Sequence, residues 1–239
     1  MSLIPSPIRN TFERLLNPII NGLIRRDVSP NVITTIGTAI VLASGAAFAL
    51  GQVRLAGALL LLSGIGDMLD GRVARGGNRV TPFGAFYDST LDRMGDAALF
   101  GGIALYFVRG GVPANLQFVA VAAALVTLAA VLIVSYARAR AEGLSLDCKV
   151  GIAQRAERIL GLGIPSLFIG AGPDGLVLFG IVAILGLMAV ITVVQRILHV
   201  YHVTRSQASA PAESRQARHT QARQLTSDVA NPLRERNPQ

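Results

Sequence analysis

The chain has 239 residues, 51% of them hydrophobic and only 15% charged, whereas a soluble globule carries about 25% charge. That balance excludes an ordinary water-soluble domain and points to an integral membrane protein. The formal charge of +8 does not call for a nucleic-acid partner: the basic residues gather at the ends of apolar segments and Trp is absent, which suits a membrane surface.

At the N-terminus, Ile8, Phe12, Leu15, Leu16, Ile19, Ile20, Leu23 and Ile24 recur at helical spacing as one apolar stripe. Ser6 and Pro7 read as an N-cap and a first helical residue, and Pro18 is expected to bend the helix. Arg9, Glu13, Arg14 and Arg25 lie off the stripe, so residues 1–27 are expected to form an amphipathic helix lying flat in the headgroup layer. The first long apolar run begins only near Asn31, so no cleavable signal peptide is expected.

Six apolar segments follow, at about 31–50, 53–75, 83–108, 115–141, 155–172 and 175–203. Each approaches the ~20 residues that cross about 30 Å of hydrocarbon. Gly51, Gly110 to Pro113 and Gly172 to Gly175 supply short turns between them. The expected fold is all-α: six transmembrane helices, residues 28–205, preceded by the interfacial helix. Residues 206–239 are polar and rich in Gln, Arg, Ser and Ala, and are expected to form a disordered tail. With both termini in the cytoplasm, only Arg54 and Arg109 fall on the outer side, as the positive-inside rule requires. The lone cysteine, Cys148, cannot form an internal disulfide.

Acids in such a chain need an explanation, because one Asp at a membrane helix centre costs about 2.5–3.5 kcal/mol on insertion scales. Five of them, Asp67, Asp70, Asp88, Asp92 and Asp96, crowd the ends of the second and third segments. Asp67, Asp70, Gly71 and Ala74 share one helix face, and Gly84, Asp88 and Asp92 stack four apart on the next. A short loop between them is expected to fold the two helices antiparallel, so that the carboxylates meet. Hard oxygen ligands clustered in this way suit Mg²⁺ or Mn²⁺. Gly71, Ala74 and Gly84 are small where a backbone or a ligand must approach closely.

The pattern Asp67-x2-Asp70-Gly71-x2-Ala74-Arg75-x8-Gly84-x3-Asp88-x3-Asp92 resembles the complete signature of the CDP-alcohol phosphotransferases. The resemblance covers the helical pattern from about Pro5 to Arg205 and not the tail. It implies that Asp67, Asp70, Asp88 and Asp92 hold two divalent ions, with Asp92 also acting as general base. It further implies that Gly71, Ala74, Arg75, Thr81 and Gly84 line the CDP-lipid, together with Asn31, Val32, Ile33 and Thr34 of the first segment. The reaction implied moves the phosphatidyl group of CDP-diacylglycerol to an alcohol and releases CMP at the cytoplasmic face of the cell membrane. A homodimer is expected by analogy with the family.

The acceptor is read from a second set of residues. Arg138 and Arg140 end the fourth segment, Arg155 and Arg158 open the fifth, and Arg196 lies inside the apolar sixth. A buried arginine wants an anion, and an acceptor that already carries a phosphate would provide one. The run SYARARAE and the later Val193-Val194-Gln195-Arg196 resemble the branch of the family whose acceptor is inositol phosphate. That similarity implies that Arg138, Arg155 and Arg196 grip the acceptor phosphate. The branch usually has lysine at the place of Arg138 and ERPER at the place of Gln154 to Arg158, and these departures leave glycerol 3-phosphate as the nearest rival. A divalent-ion transporter is a remote alternative, because it predicts acids spread over several helices and through the membrane depth. Asp96 is expected to pair with a cation such as Arg93 or to hydrogen-bond within the bundle.

Overall fold

The computed structural model describes residues 17–77, 79–152 and 155–208. Among these residues the fold is all-helical, with no strand. Helix α1 covers 17–25, followed by α2 (Pro30–Ala49), α3 (Val53–Gly76), α4 (Pro82–Val108), α5 (Ala114–Glu142), α6 (Arg155–Phe168) and α7 (Leu176–Ala208). The N-terminal stretch with Ser6 and Pro7, and the tail beyond residue 208, lie outside the described residues.

Local chemistry sets these boundaries. Pro30 follows Ser29 at the start of α2, where a missing N–H costs nothing. That helix ends with Gly51 at φ 77°, and Gln52 N–H closes back on the Ala47 carbonyl at 2.9 Å. Pro82 opens α4 behind Thr81, whose hydroxyl accepts the Gly84 N–H at 3.0 Å. Helix α6 is shorter than expected, ending at Phe168 rather than near residue 172, because Gly170 takes a left-handed φ of 79°. Helix α7 runs on to Ala208, past the expected 203.

Among the described residues, three stretches are long and apolar enough to cross a bilayer: α2, α5 and Pro173–Ser206, which takes in most of α7. They mark the chain as a membrane protein. Acids and arginines dilute the hydropathy of α3 and α4, and α6 has only 14 residues.

Two units are described separately, residues up to Arg196 and residues from Ile197 on. In the first, α2 packs against both α3 and α4, α3 against α6 and α4 against α5. Glycines permit the closest approaches. A Cβ on Gly57 would stand 2.6 Å from Leu167 N, and one on Gly102 would run into the Gly45 carbonyl. The core holds Phe48, Leu60, Phe100, Ile103, Phe107, Val131, Leu162, Leu178 and Val182. A smaller cluster seats Ile20 of α1 on Val73 of α3, flanked by Leu23, Ile24 and Leu69. The sequence stripe on this helix is therefore used, although Ile19 is exposed. In the second unit, the rings of Tyr201 and His202 meet edge to face at 5.6 Å.

Candidate active site

Helix α2 brings the acids of α3 and α4 to one end of the bundle. At the level of Asp67 the α2 and α3 backbones nearly touch: a Cβ on Gly66 would stand 3.5 Å from the Gly37 Cα, and one on Gly37 3.9 Å from Asp67 Oδ1. One turn further on, the Thr34 hydroxyl donates to Asp70 Oδ2 at 2.9 Å, both residues being buried. On its other side α2 meets the first turns of α4. A Cβ on Gly84 would lie 3.4 Å from Asn31 Oδ1 and 3.1 Å from Thr81 Oγ1, and the hydroxyls of Thr35 and Tyr87 are 3.0 Å apart. The two acid-bearing helices thus both pack on α2, which brings them to the same end of the bundle. The bare face of Gly71 leaves room for the Arg75 guanidinium, which would stand 3.3 Å from a Cβ there. Val32, Arg75 and Thr81 are exposed, while Asn31, Ile33, Ala74 and Asp88 are half-buried.

Asp67, Asp70 and Asp88 lie near enough to feel one another's charge. Among the described residues, no three acids, histidines or cysteines close into a finished ligand cage. The space between the helices is instead crossed by arginine. Arg155, at the start of α6, places Nε 3.0 Å from Asp67 Oδ2 on α3, and its Nη1 contacts Asp92 Oδ1 on α4. Asp67 Oδ2 is buried, and its contact with Arg155 is an ion pair without hydrogen-bond geometry. Three neighbouring carboxylates, one with a buried oxygen held only by an ion pair, form a donor set that a hard divalent cation fits.

The charges continue in alternation beyond Asp92. Arg93 Nη2 lies 3.4 Å from Asp92 Oδ2 and 3.7 Å from Asp96 Oδ2. Arg158, one turn after Arg155 on α6, reaches both Asp96 oxygens at 3.4 Å, and both residues are buried. Asp96 thus pairs with Arg93 as its spacing suggested, but the partnership with Arg158 was not foreseen. Two acids four apart on α4, facing two arginines three apart on α6, is the signal that could have found it.

The remaining arginines are placed as follows. Arg138 is exposed and pairs with Glu142 at 2.8 Å on its own helix. Arg196 is buried. It donates through Nε to the Val150 carbonyl at 3.0 Å and through Nη1 to the Val134 carbonyl, so backbone oxygens satisfy part of its guanidinium. It also ties α5 and α7 to the segment that leads into α6.

Bilayer-length helices enclosing carboxylates and guanidinia at one end define a membrane protein with a polar site, and comparison supplies the class. Residues 27–203 match the sequence model of the family described as CDP-alcohol phosphatidyltransferase. The chain belongs to that family and is a transferase. It is 40% identical over 206 residues to the phosphatidylinositol phosphate synthase of Cutibacterium acnes, spanning 83% of this chain and 98% of that one. The archaetidylinositol phosphate synthase of Methanothermobacter thermautotrophicus is 41% identical over 152 residues, 63% of this chain and 73% of its own length. Among solved structures, the fold resembles Mycobacterium tuberculosis phosphatidylinositol phosphate synthase with CDP-DAG bound. The TM-score is 0.68 at 31% identity, covering 79% of this chain and 94% of that one. The same enzyme in complex with manganese and citrate gives a TM-score of 0.67 at 31% identity, over 77% of this chain and 88% of that one.

Proposed function

We propose that this chain transfers the phosphatidyl group of CDP-diacylglycerol to the hydroxyl of inositol 1-phosphate, releasing CMP. The observation that carries the reading is the pairing of signature aspartates with an arginine from α6: Arg155 stands between Asp67 and Asp92. Near-full-length similarity to a phosphatidylinositol phosphate synthase supports inositol phosphate over glycerol 3-phosphate.

In this reading Asp67, Asp70, Asp88 and Asp92 hold two ions, Mg²⁺ or Mn²⁺, which when bound supply charge neutralisation for the pyrophosphate. Thr34 fixes the carboxylate of Asp70 through its hydroxyl. Asn31, Val32, Ile33, Gly71, Ala74, Arg75, Thr81 and Gly84 line the CDP-lipid, and Arg75 is free in geometry to swing onto a phosphate as a bidentate donor. Asp92 takes the proton of the acceptor hydroxyl as that oxygen attacks the lipid-side phosphorus, and CMP leaves with the cleaved P–O bond electrons. Arg138, Arg155 and Arg196 orient the acceptor through its phosphate. Arg155 contacts Asp92, so one guanidinium can carry the acceptor to the base.

The same reading extends to the whole chain. Six spans, with an interfacial helix ahead of them, put the termini and the site on the cytoplasmic side, where a lipid tail stays in the bilayer while nucleotide and acceptor come from water. The working unit is a homodimer. The test is CMP release from CDP-diacylglycerol with Mn²⁺ or Mg²⁺, comparing inositol 1-phosphate, free inositol, glycerol 3-phosphate and serine. Inositol 1-phosphate is expected to react fastest, and chelation with EDTA to stop turnover. Reaction of the unphosphorylated alcohols alone would remove the arginine pocket from the account.

A further inference from the structure

The salt bridges between α4 and α6 form two rungs. The outer rung is Asp92 with Arg155, and the inner rung is Asp96 with Arg158. Asp96 follows Asp92 by about 6 Å along α4, and Arg158 follows Arg155 by about 4.5 Å along α6, at ~1.5 Å rise per residue. The rungs therefore stack at similar spacing on two facing helices. Their surroundings differ. The inner pair is buried, whereas Arg155 and Asp92 keep 24% and 18% of their side-chain surface exposed. Arg93 links the rungs, lying between the Asp92 and Asp96 carboxylates.

We infer that Asp96 and Arg158 are positioning residues for the transfer reaction: the inner rung sets the rotation and depth of α6 so that Arg155 meets the acceptor phosphate within reach of Asp92. The argument is geometric. Helix α6 packs on α3 and has only 14 residues, with Pro165 inside. This short helix meets α3 through small residues, Gly57 against Gly163 and Leu167 and Gly64 against Ile159, and near its first turn it meets α4 through the two charge pairs. A buried charge pair, in which one guanidinium nitrogen of Arg158 reaches both Asp96 oxygens, supplies that register, because each partner left alone is penalised steeply. Rotating α6 by one residue would turn Arg158 about 100° away from Asp96 and carry Arg155 off the Asp92 side. Asp96 has a second route to the site, since it anchors the arginine that also touches Asp92. This inference rests on the reading of Arg155 as acceptor ligand and Asp92 as base.

The test uses full-length protein in nanodiscs, with KM measured separately for CDP-diacylglycerol and inositol 1-phosphate. Arg158→Met is expected to raise the acceptor KM by at least about tenfold while the CDP-lipid KM stays within about twofold. The paired apolar variant, Asp96→Leu with Arg158→Met, is expected to keep the wild-type melting temperature, because an apolar pair replaces a buried ion pair without loss in many cores, and still to show the raised acceptor KM. Arg158→Lys is expected to recover part of it. Asp96→Asn, nearly isosteric, serves where the larger changes do not fold, and is expected to lower kcat as well because Arg93 is loosened from Asp92. Wild-type acceptor KM in the folded paired variant, or equal rises in both KM values, overturns the inference. Arg155→Gln is the control. An unchanged acceptor KM there removes the reading of the site itself, whereas a large effect at Arg155 with none at Arg158 and Asp96 removes only the positioning role.

Discussion

At Asp70 a single hydroxyl sets the direction of a buried carboxylate. Thr34 can hold Asp70 because Pro30 and Ser29 start α2 where its first turns face the end of α3. Thr34→Val keeps the shape and removes the donor. On the proposed reading it is expected to weaken metal activation by about 10–100-fold, the range for groups that orient metal ligands, read as the Mn²⁺ concentration giving half-maximal CMP release. Asp92→Asn is expected to lower turnover by at least about 10²–10⁴-fold with the melting temperature unchanged, and full activity there would reject the general-base role. Residues of this kind were legible in sequence to different degrees. The aspartates announced themselves by cost and spacing, since acids in apolar helices have few other uses. Their arginine partners did not, because Arg155 and Arg158 lie roughly sixty residues or more from the acids they meet, and helical periodicity says nothing about which helix faces which. For Arg196 the sequence identified an awkward buried cation but not the carbonyls of Val134 and Val150 that receive it.

Helix ends were far easier to read than helix neighbours. Pro30, Pro82, Gly51 and Gly110 punctuate the chain, and α2 to α5 begin and end within about a residue of the expected positions because those residues act through their own backbone. Helix α6 departed because hydrophobicity continues past Phe168 while the backbone turns at Gly170. The order of packing, with α2 between α3 and α4, depends on contacts at Gly45, Ala98 and Gly102 that no one-dimensional pattern displays. Those contacts give a test. Gly102→Leu forces α2 and α4 apart and is expected to cost at least about 1–3 kcal/mol, read as a lowered melting temperature in detergent. Gly101→Leu, at a position with open space around it, is expected to be near neutral.

For the molecule as a whole, the family match stops at residue 203 of 239, so truncation after Ala208 is expected to leave CMP release within about twofold of the full chain. Orientation is a separate matter, inferred from the bias of basic residues and open to direct labelling. Cys148 is buried and serves as a quiet background. Gln52→Cys, in the turn after α2, is expected to react with an impermeant maleimide on intact spheroplasts, and Lys149→Cys, beside α6, only after lysis. The reverse pattern would invert the proposed topology.

The alternating chain of charges also bears on how the protein is made. Asp67, Arg155, Asp92, Arg93, Asp96 and Arg158 cancel formally, so on the proposed six-span reading the finished bundle carries that row at no net charge. Ribosomes, however, deliver the acids first. Arg155 emerges 88 residues after Asp67, a delay on the order of ten seconds at common synthesis rates. On that reading α3 enters the membrane without its counter-charge during that interval, and a nascent chain stopped after α5 is expected to leave α3 more accessible to water than a chain that has released α6.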